Sequence, residues 1–353
     1  MGDRNGAIDV ARGLGILLVV LGHNPVIWED KGELYRVMSS FRMPLFFFLS
    51  GVFFRPDKPF FEIFSEKSDS LLKPYLVTLL SLGALGSIMK GSDFSACLVG
   101  ILQATGESIE WTPLWFLPHL FVVTLFSWLF VRALSRWPDV AWVKGGAVAA
   151  LLFAGIYTIQ FFWRKPVSWF GEVHFMMGLP WSLDILLITS AYYLAGYHLS
   201  RRVRGFAPKF SYAVIAFIVF CVSHIVADQT IDLNIRKYDG YFFPVVESLS
   251  GIYLALALCH HVQYFSFVGR VFAMVGNASL FVLIFHWPIQ GKALNILGNL
   301  LPNHQTTAML LAFFVASLLP VAVWWVVDRS AYLSLLFLPF KKNKLFRNHP
   351  VTS

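Results

Sequence analysis

The sequence predicts an all-α membrane protein, a polytopic transmembrane helix bundle of about ten spans. Hydrophobic residues make up 57% of the 353-residue chain and aromatic residues 17%, with 35 Phe among them. Charged residues make up only 14% of the chain, whereas soluble domains carry about 25%. This composition excludes a disordered chain and argues against a soluble globular enzyme, because too few charges remain for a water-facing surface.

Ten apolar stretches approach the length of about 20 residues that a membrane-spanning helix needs. The second stretch is short and rich in Phe, and the first lacks the small-residue cleavage site of a signal peptide. A basic amphipathic tail at 331–347 follows the last stretch, so residues 1–330 form one membrane domain and 331–353 a cytoplasmic tail. We expect the spans at 8–28, 38–55, 71–89, 113–134, 141–162, 181–199, 210–227, 242–262, 271–290 and 307–327.

The distribution of positive charge predicts the orientation of these spans. Ten spans put both termini on one side, and most of the 28 Lys and Arg residues fall on that side. The positive-inside rule therefore makes both termini cytoplasmic. The same distribution explains the net charge of +8 without nucleic acid, since no basic run is interleaved with exposed aromatic residues.

The motifs of metal, nucleotide and disulfide chemistry are missing from the sequence. Neither a zinc-type H-E-x-x-H pattern nor a phosphate-binding Gly-rich loop occurs, and the chain has no G-x-S-x-G nucleophile elbow. Cys97, Cys221 and Cys259 each lie in an apolar stretch. We therefore expect no metal site and no structural disulfide.

The first span carries the most informative ionisable residues. Arg12 and His23 lie eleven residues apart, which is about 16 Å along a helix. With Arg12 at the cytoplasmic rim, where Asp9 can pair with it, His23 lies past the middle of the membrane. Ionisable groups at that depth are costly and commonly functional, although a snorkelling Arg and a structural His are the alternative.

Two cations begin the next spans. Arg42 opens the second span near the outer rim, where it is suited to stabilise an oxyanion or bind an anionic acceptor. Lys73 and Tyr75 open the third span on the cytoplasmic side, where Lys73 is suited to bind phosphate. The alternatives are an interfacial anchor for Arg42 and an ordinary positive-inside residue for Lys73.

Further polar residues of the other spans map to the outer half of the bundle. Each alone is more typical of a hydrogen-bonded structural group, but together with His23 and Arg42 they predict a polar cavity within the membrane. They are Asn24, Trp115, His119, Asp184, Glu247 and His286, with His224 late in the seventh span.

The same residues carry a resemblance to a known family. The N-terminal IDVARGLGILLVVLGHNP resembles the opening of the acyltransferase-3 family of integral membrane O-acyltransferases, whose hallmark is Arg or Lys, ten residues, then His. FRMPLFFFLSGVFF, KPYL, LWFLPHLF, LPWSLDILLITSAYYLAGY and SLFVLIFHWPI follow in the order of the subgroup similar to fucose 4-O-acetylases. Arg42 departs from the subgroup, which commonly has His there, and His119 stands where many members have Glu.

The resemblance implies a membrane O-acyltransferase that moves an acyl group, usually acetyl, from cytosolic acyl-CoA to a sugar hydroxyl. Surface polysaccharides and lipid-linked glycans are the implied acceptors, the bacterial inner membrane is the implied location, and acetyl-CoA is a co-substrate rather than a bound cofactor. His23 would act as general base or as a covalent nucleophile, with Asp184 or Glu247 orienting it. Arg12, Lys73 and Tyr75 would bind acyl-CoA.

Two other functions are compatible with the sequence. A transporter also needs a polar cavity near the midplane, although no inverted repeat relates the two halves of the chain. A non-catalytic membrane scaffold would need none of the candidate residues. Membrane lipid is a partner under all three hypotheses, namely the acyltransferase, the transporter and the scaffold. A homo-oligomer is compatible with each of them.

Overall fold

The computed structural model describes residues 6–29, 32–138, 140–169, 172–227 and 231–340, and within these ranges the chain is mostly helical. The predicted helical class is confirmed. The α-helices in chain order are α1 (Gly6–Gly22), α2 (Pro25–Trp28), α3 (Glu33–Val52), α4 (Phe60–Lys67), α5 (Lys73–Lys90), α6 (Phe94–Gln103), α7 (Phe116–Leu134), α8 (Ala141–Thr158), α9 (Leu186–His198), α10 (Ser200–Arg204), α11 (Phe210–Ala227), α12 (Phe243–Val262), α13 (Ser266–Asn277), α14 (Ser279–Leu300), α15 (Gln305–Arg329) and α16 (Ala331–Phe337).

Two small antiparallel hairpins interrupt the helical pattern. The first pairs β1 (Trp163–Trp169) with β2 (Glu172–Met177), and the second pairs β3 (Ile231–Asp232) with β4 (Lys237–Tyr238). Both lie in segments that the sequence indicated only as long loops between spans. Each strand bonds to its sequence neighbour, so among the described residues neither hairpin is part of a larger sheet.

Six helical segments of the described residues are long and apolar enough to cross a membrane, fewer than the ten predicted. Among the others, α1 has 17 residues, short of the usual spanning length of about 20. α3 has 20 residues but carries Glu33, Arg36 and Arg42, which lower its hydropathy. The six are Phe60–Met89, Thr112–Leu134, Ala141–Thr158, Phe243–Val262, Ser279–Leu300 and Gln305–Arg329.

The first predicted span ends earlier than its apolar run suggested. α1 stops at Gly22, and the side chain of Asn24 accepts a hydrogen bond from Val26 N as the N-cap of α2. Pro25 occupies the first position of α2, where the missing N–H of a proline is tolerated. The chain therefore turns immediately after His23. The last turn of α1 is thus accessible to the neighbouring helices.

The ninth predicted span was placed wrongly. Residues 271–290 straddle a helix break at Ala278, where α13 ends and α14 begins. The predicted end at residue 290 is also wrong, because α14 continues through Pro288 to Leu300. His286 consequently lies in the middle of the helix, facing the protein interior.

The third span and the tail also differ from their predicted bounds. The segment Phe60–Met89 begins well before residue 71 and contains a π-helical turn at Ser68–Leu72. Such turns are rare and occur frequently at functional sites. In the tail, α16 covers only Ala331–Phe337, and the basic end of the predicted amphipathic segment lies outside the described residues.

The chain divides into two compact units. The first unit comprises Met1–Phe54, Gly146–Gln160 and Leu187–Val321. α1 lies at its centre, in contact with α3, α12, α13 and α14. α1 and α13 approach so closely that a Cβ on Gly13 would overlap the carbonyl oxygen of Phe272, and one on Gly276 would overlap that of Asp9. Small residues at this crossing let the two backbones touch, as in other membrane helix pairs.

The second unit comprises Arg55–Gly145, Phe161–Leu186 and Ala322–Ser353. Here α7 packs against α4, against the π-helical turn and against the 3₁₀ turn Pro180–Ile185. Trp128 of α7 donates its Nε1–H to the carbonyl oxygen of Lys58, and Phe121 lies edge-on to Phe64. These aromatic contacts hold α7 against α4 and the residues just before it, next to the π-helical turn.

Candidate functional site

His23 follows the last turn of α1 in the first unit, and its ring is half-buried. Its Nδ1 lies 2.9 Å from the carbonyl oxygen of Val19 and 3.3 Å from Nε2 of His286. The two imidazole rings are 5.3 Å apart between centroids, and the Trp287 indole stands edge-on to His23 at the same centroid distance. The turn after Gly22 therefore brings His23 against the middle of α14.

Backbone carbonyls determine which ring nitrogens carry protons. The Nδ1 of the fully buried His286 lies 2.8 Å from the carbonyl oxygen of Val282 and 3.0 Å from that of Leu283. A carbonyl oxygen only accepts, so Nδ1 of His286 bears hydrogen. The same reasoning assigns a hydrogen to Nδ1 of His23, which donates to Val19 and toward Nε2 of His286. In the neutral His23 ring, Nε2 is then the basic nitrogen, and it has no partner among the described residues.

Arg42 supplies a buried positive charge next to this histidine. Its side chain is 9% exposed and donates from Nη1 to the carbonyl oxygen of Leu18 over 3.3 Å, its one hydrogen bond to the described part of the chain. Its Nε is buried without a partner. The guanidinium occupies the space that a side chain at position 22 would need, because a Cβ on Gly22 would overlap Nη1. A buried cation with unused donors is suited to an anionic group or a developing oxyanion.

Two amide side chains complete the surroundings of His23. Gln290, one turn after His286 on α14, donates from Nε2 to the carbonyl oxygen of His23 over 2.9 Å. Asn24 is fully buried, caps α2 with its oxygen and donates from Nδ2 to the carbonyl oxygen of Met309 over 2.9 Å. Asn24 thus anchors the turn after α1, while Gln290 faces the candidate site.

The other end of α1 carries a second cationic cluster. Arg12 lies 3.9 Å from Asp9 and places its guanidinium 4.3 Å from the centre of the Phe53 ring. Arg204 lies over the same ring at 5.5 Å and donates to the carbonyl oxygen of Val52 over 2.9 Å. Two cations thus converge on the C-terminal end of α3, where the helix dipole favours positive charge.

Glu247 contacts a different histidine from the one it was expected to orient. Its Oε1 lies 2.6 Å from Nδ1 of His224, and Oε1 of Glu33 lies 2.6 Å from Nε2 of the same ring. Phe220 stacks on His224 with its ring nearly parallel. The two carboxyl groups hold the ring from both sides, so this cluster is a hydrogen-bonded clamp between α3, α11 and α12.

Lys73 belongs to the second unit and is engaged with the tail. Its ammonium pairs with Asp69 at 2.5 Å, donates to the carbonyl oxygen of Leu338 at 2.6 Å and lies 3.8 Å from the centre of the Phe340 ring. Asp69 in turn accepts from the backbone N–H of Phe340 over 2.7 Å. Lys73 therefore holds the end of the described chain against the π-helical turn, beside an open cavity lined by residues 64–70, 72, 73, 76, 77, 339 and 340.

The remaining predicted residues also lie in the second unit. The Tyr75 hydroxyl is buried and donates to the carbonyl oxygen of Ile101 over 2.8 Å. His119 is fully buried, with Nδ1 3.0 Å from the carbonyl oxygen of Trp181 and its ring 5.6 Å from that of Trp115. Asp184 accepts from the backbone N–H of Leu179 over 3.3 Å. His119 and Asp184 brace the turn around Trp181, a non-glycine residue with a φ of 58°.

Sequence reasoning overlooked three residues of the first unit. Gln290 falls four residues after His286, a spacing that places both on one helix face, but the predicted span ended there. Arg204 lies between two predicted spans, and the sequence assigned it no role beyond its charge. Gly22 carries no chemical signal of its own, because its importance depends on the position of Arg42. The described residues contain no group of three or more His, Cys, Asp or Glu arranged to hold a metal ion.

Comparison with known proteins identifies one family. A family model described as an acyltransferase domain matches residues 5–329, nearly the whole chain. The matched region contains every candidate residue of both units. No curated protein and no solved structure matches the chain.

Proposed function

The chain belongs to this acyltransferase family, and we propose that it transfers an acyl group, most simply acetyl, from acyl-CoA to a sugar hydroxyl. Membership of the family and the apolar helices support a membrane acyltransferase. The observation that carries the proposed chemistry is the pairing of His23 and Arg42. His23 offers an open basic nitrogen, and Arg42 is a buried cation with unused donors beside it.

His23 acts as the general base in the proposed mechanism. Its Nε2 takes the proton of the acceptor hydroxyl while the hydroxyl oxygen attacks the thioester carbonyl carbon. The tetrahedral intermediate then collapses, the carbon–sulfur bond breaks, and the CoA sulfur leaves with the proton returned by His23. An acyl-histidine intermediate on the same Nε2 is the alternative route, and both routes need this nitrogen unprotonated.

Arg42 and His286 have separate roles in this mechanism. Arg42 stabilises the oxyanion of the tetrahedral intermediate, for which its unused N–H groups are suited. His286 is a positioning residue, because its Nε2 faces Nδ1 of His23 at 3.3 Å and helps to keep the proton there.

The donor is proposed to bind at the opposite end of α1. CoA carries phosphates, and Arg12 and Arg204 present two cations around Phe53 there. Arg12 and His23 are separated by about 16 Å along the helix direction, a distance suited to the extended pantetheine arm. Lys73 remains a second phosphate-binding candidate, although its ammonium is held by Asp69 and Leu338. Tyr75, the other predicted donor-binding residue, also belongs to the second unit, and its hydroxyl donates to Ile101.

The finer features of the proposal follow from the sequence. They are about ten spans, cytoplasmic termini, the bacterial inner membrane, and acceptors among surface polysaccharides or lipid-linked glycans, as in relatives similar to fucose 4-O-acetylases. Under this topology Arg12 faces the cytosolic pool of acyl-CoA and His23 lies toward the acceptor side. The acceptor would approach His23 near Gln290. Trp115, His119 and Asp184 belong to the second unit and are not assigned to this site.

Reconstituted protein tests the proposal directly. Liposomes containing the full chain are supplied with radiolabelled acetyl-CoA outside and mixed sugar acceptors, and acetylated product is separated from free acetate. We expect acyl transfer, or acetyl-CoA hydrolysis accelerated by the protein, that depends on His23. Counterflow of a labelled sugar without acyl transfer or hydrolysis would contradict the proposal and favour a transporter.

A further inference from the structure

Gln290 is a buried amide at the candidate site that uses only one of its two polar atoms. The side chain is 3% exposed, and its Nε2 donates to the carbonyl oxygen of His23 over 2.9 Å. This bond fixes the orientation of the amide, because a carbonyl oxygen only accepts. The oxygen Oε1 therefore points away from it, and no donor of the described chain reaches that buried atom.

Asn24, in the same region, is an example of a buried amide with a purely structural role. It is also buried, yet its oxygen accepts from Val26 N and its nitrogen donates to Met309. Buried polar atoms are nearly always hydrogen-bonded in folded proteins, because an unmade bond is costly. The empty acceptor of Gln290 therefore points to a donor that comes from a ligand.

The chemistry of the proposed reaction restricts what that ligand donor is. The reacting hydroxyl gives its proton to His23, so it has none left for Gln290. Oε1 accepts but never donates. A second hydroxyl of the acceptor satisfies this need, since it still carries a hydrogen that it can donate to Oε1 of Gln290.

We propose that Gln290 is a specificity-determining residue that accepts a hydrogen bond from a second acceptor hydroxyl beside the acylated one. The site would thus select vicinal diols, the arrangement found around sugar rings, over simple alcohols. This inference rests on the proposed acyl transfer, and it adds to that function a defined recognition element in the first unit. Gln290 contacts His23 itself, so a hydroxyl bound to it lies next to the reacting one.

The test uses small alcohols as acceptor probes with the full-length reconstituted protein and radiolabelled acetyl-CoA. trans-Cyclohexane-1,2-diol, its cis isomer and cyclohexanol are compared by kcat/KM, corrected for the number of hydroxyls. We expect the wild-type protein to prefer the better diol over cyclohexanol by about ten-fold, the discrimination typical of one hydrogen bond in a buried site.

Two substitutions at position 290 separate recognition from structural support. Gln290→Met and Gln290→Glu both remove the amide donor, but Glu keeps an oxygen that accepts from a hydroxyl. We expect the diol preference to fall to about one in Gln290→Met and to persist in Gln290→Glu. Equal loss in both variants, or persistence in both, would overturn the inference, because either result removes Oε1 from recognition.

The wild-type measurements distinguish failure of the inference from failure of the proposed function. Transfer to the diols and to cyclohexanol at equal rates would overturn the role of Gln290 and leave the acyltransferase proposal standing. Absence of transfer to every alcohol, with no acceleration of acetyl-CoA hydrolysis, would overturn both. These outcomes need only the wild-type protein, so they decide the question even where a variant fails to fold.

Discussion

His23 and His224 lie in the same unit but have opposite surroundings. Both ring nitrogens of His224 lie 2.6 Å from carboxylate oxygens, one of Glu247 and one of Glu33. His23 has a carbonyl and a second histidine at Nδ1 and no partner at Nε2 among the described residues. A histidine inside a membrane protein is therefore not by itself a catalytic signal. The deciding feature is a ring nitrogen left available beside a suitable charge.

The comparison predicts that substitution of His23 lowers activity, whereas substitution of His224 lowers stability. His23→Ala removes the proposed base or nucleophile, and we expect acyl transfer to fall by about 10²–10⁴-fold while the fold is retained. His224→Ala leaves the buried Glu247 carboxyl without its hydrogen-bond partner, which typically destabilises by about 1–3 kcal/mol. Transfer rates and thermal unfolding in detergent are measured on both variants. Retained activity in His23→Ala, or an unstable His23→Ala with a stable His224→Ala, would reverse the assignment.

Arg42 sharpens the comparison, because it is the charge that the His23 cluster has in place of carboxylates. Arg42→Met keeps much of the side-chain length but removes the guanidinium, and we expect kcat to fall by about 10²–10³-fold through loss of oxyanion stabilisation. Arg36→Met is the matched control on the same helix, since Arg36 pairs with Glu33 at the edge of the His224 cluster. Similar losses of kcat in both variants would show that a positive charge on α3 affects kcat whether or not it lies next to His23.

The position of Arg42 can be disturbed without changing any polar atom. Gly22→Ala inserts a Cβ into the space of Nη1, and we expect the displaced guanidinium to lower kcat by about 10- to 100-fold. Gly291→Ala is the control on α14, because a Cβ there meets nothing within 4 Å. Steady-state kinetics with saturating acetyl-CoA gives kcat for both. Wild-type kcat in Gly22→Ala would mean that the placement of Arg42 is unimportant.

The smallest expected effects concern the donor end of α1. Arg12→Ala and Arg204→Ala each remove one phosphate contact at the rim, and we expect the Kd for acetyl-CoA to rise by about ten-fold in each. Calorimetry on the purified protein measures this change. Lys73→Ala should have a smaller effect, since its ammonium is held by Asp69. A larger effect of Lys73→Ala than of the two Arg variants would move the donor site to the second unit.

The sequence predicted the helical class, the family and the spacing of Arg12 and His23, because these depend on composition and on residues close together in one helix. The partner of His23 could not be predicted in the same way. His286 lies 263 residues further along the chain, and its contact depends on how α14 packs against α1. Glu247 was expected to contact His23 because of its depth in the bundle alone. The packing of α11 against α12 places Glu247 against His224 instead.

Helix ends were predicted less well for a related physical reason. Apolar stretches show where lipid or protein can cover a helix, but the break at Ala278 and the extension of α14 to Leu300 leave no clear hydropathy signal. The turn after His23 does carry one, since Asn24 and Pro25 are a typical helix start. A prediction that used this helix-start signal would have ended the first span next to His23.

The protonation of the two histidines is the most direct test of the account. Protein labelled with ¹⁵N-histidine is reconstituted into bilayers at pH 7, and His23→Gln and His224→Gln assign the two ring signals. We expect a neutral His23 with hydrogen on Nδ1 and a bare Nε2, and a His224 whose two nitrogens both take part in hydrogen bonds to carboxyl groups. A His23 that is doubly protonated, or that carries its hydrogen on Nε2, would contradict the proposed base and the contrast on which it rests.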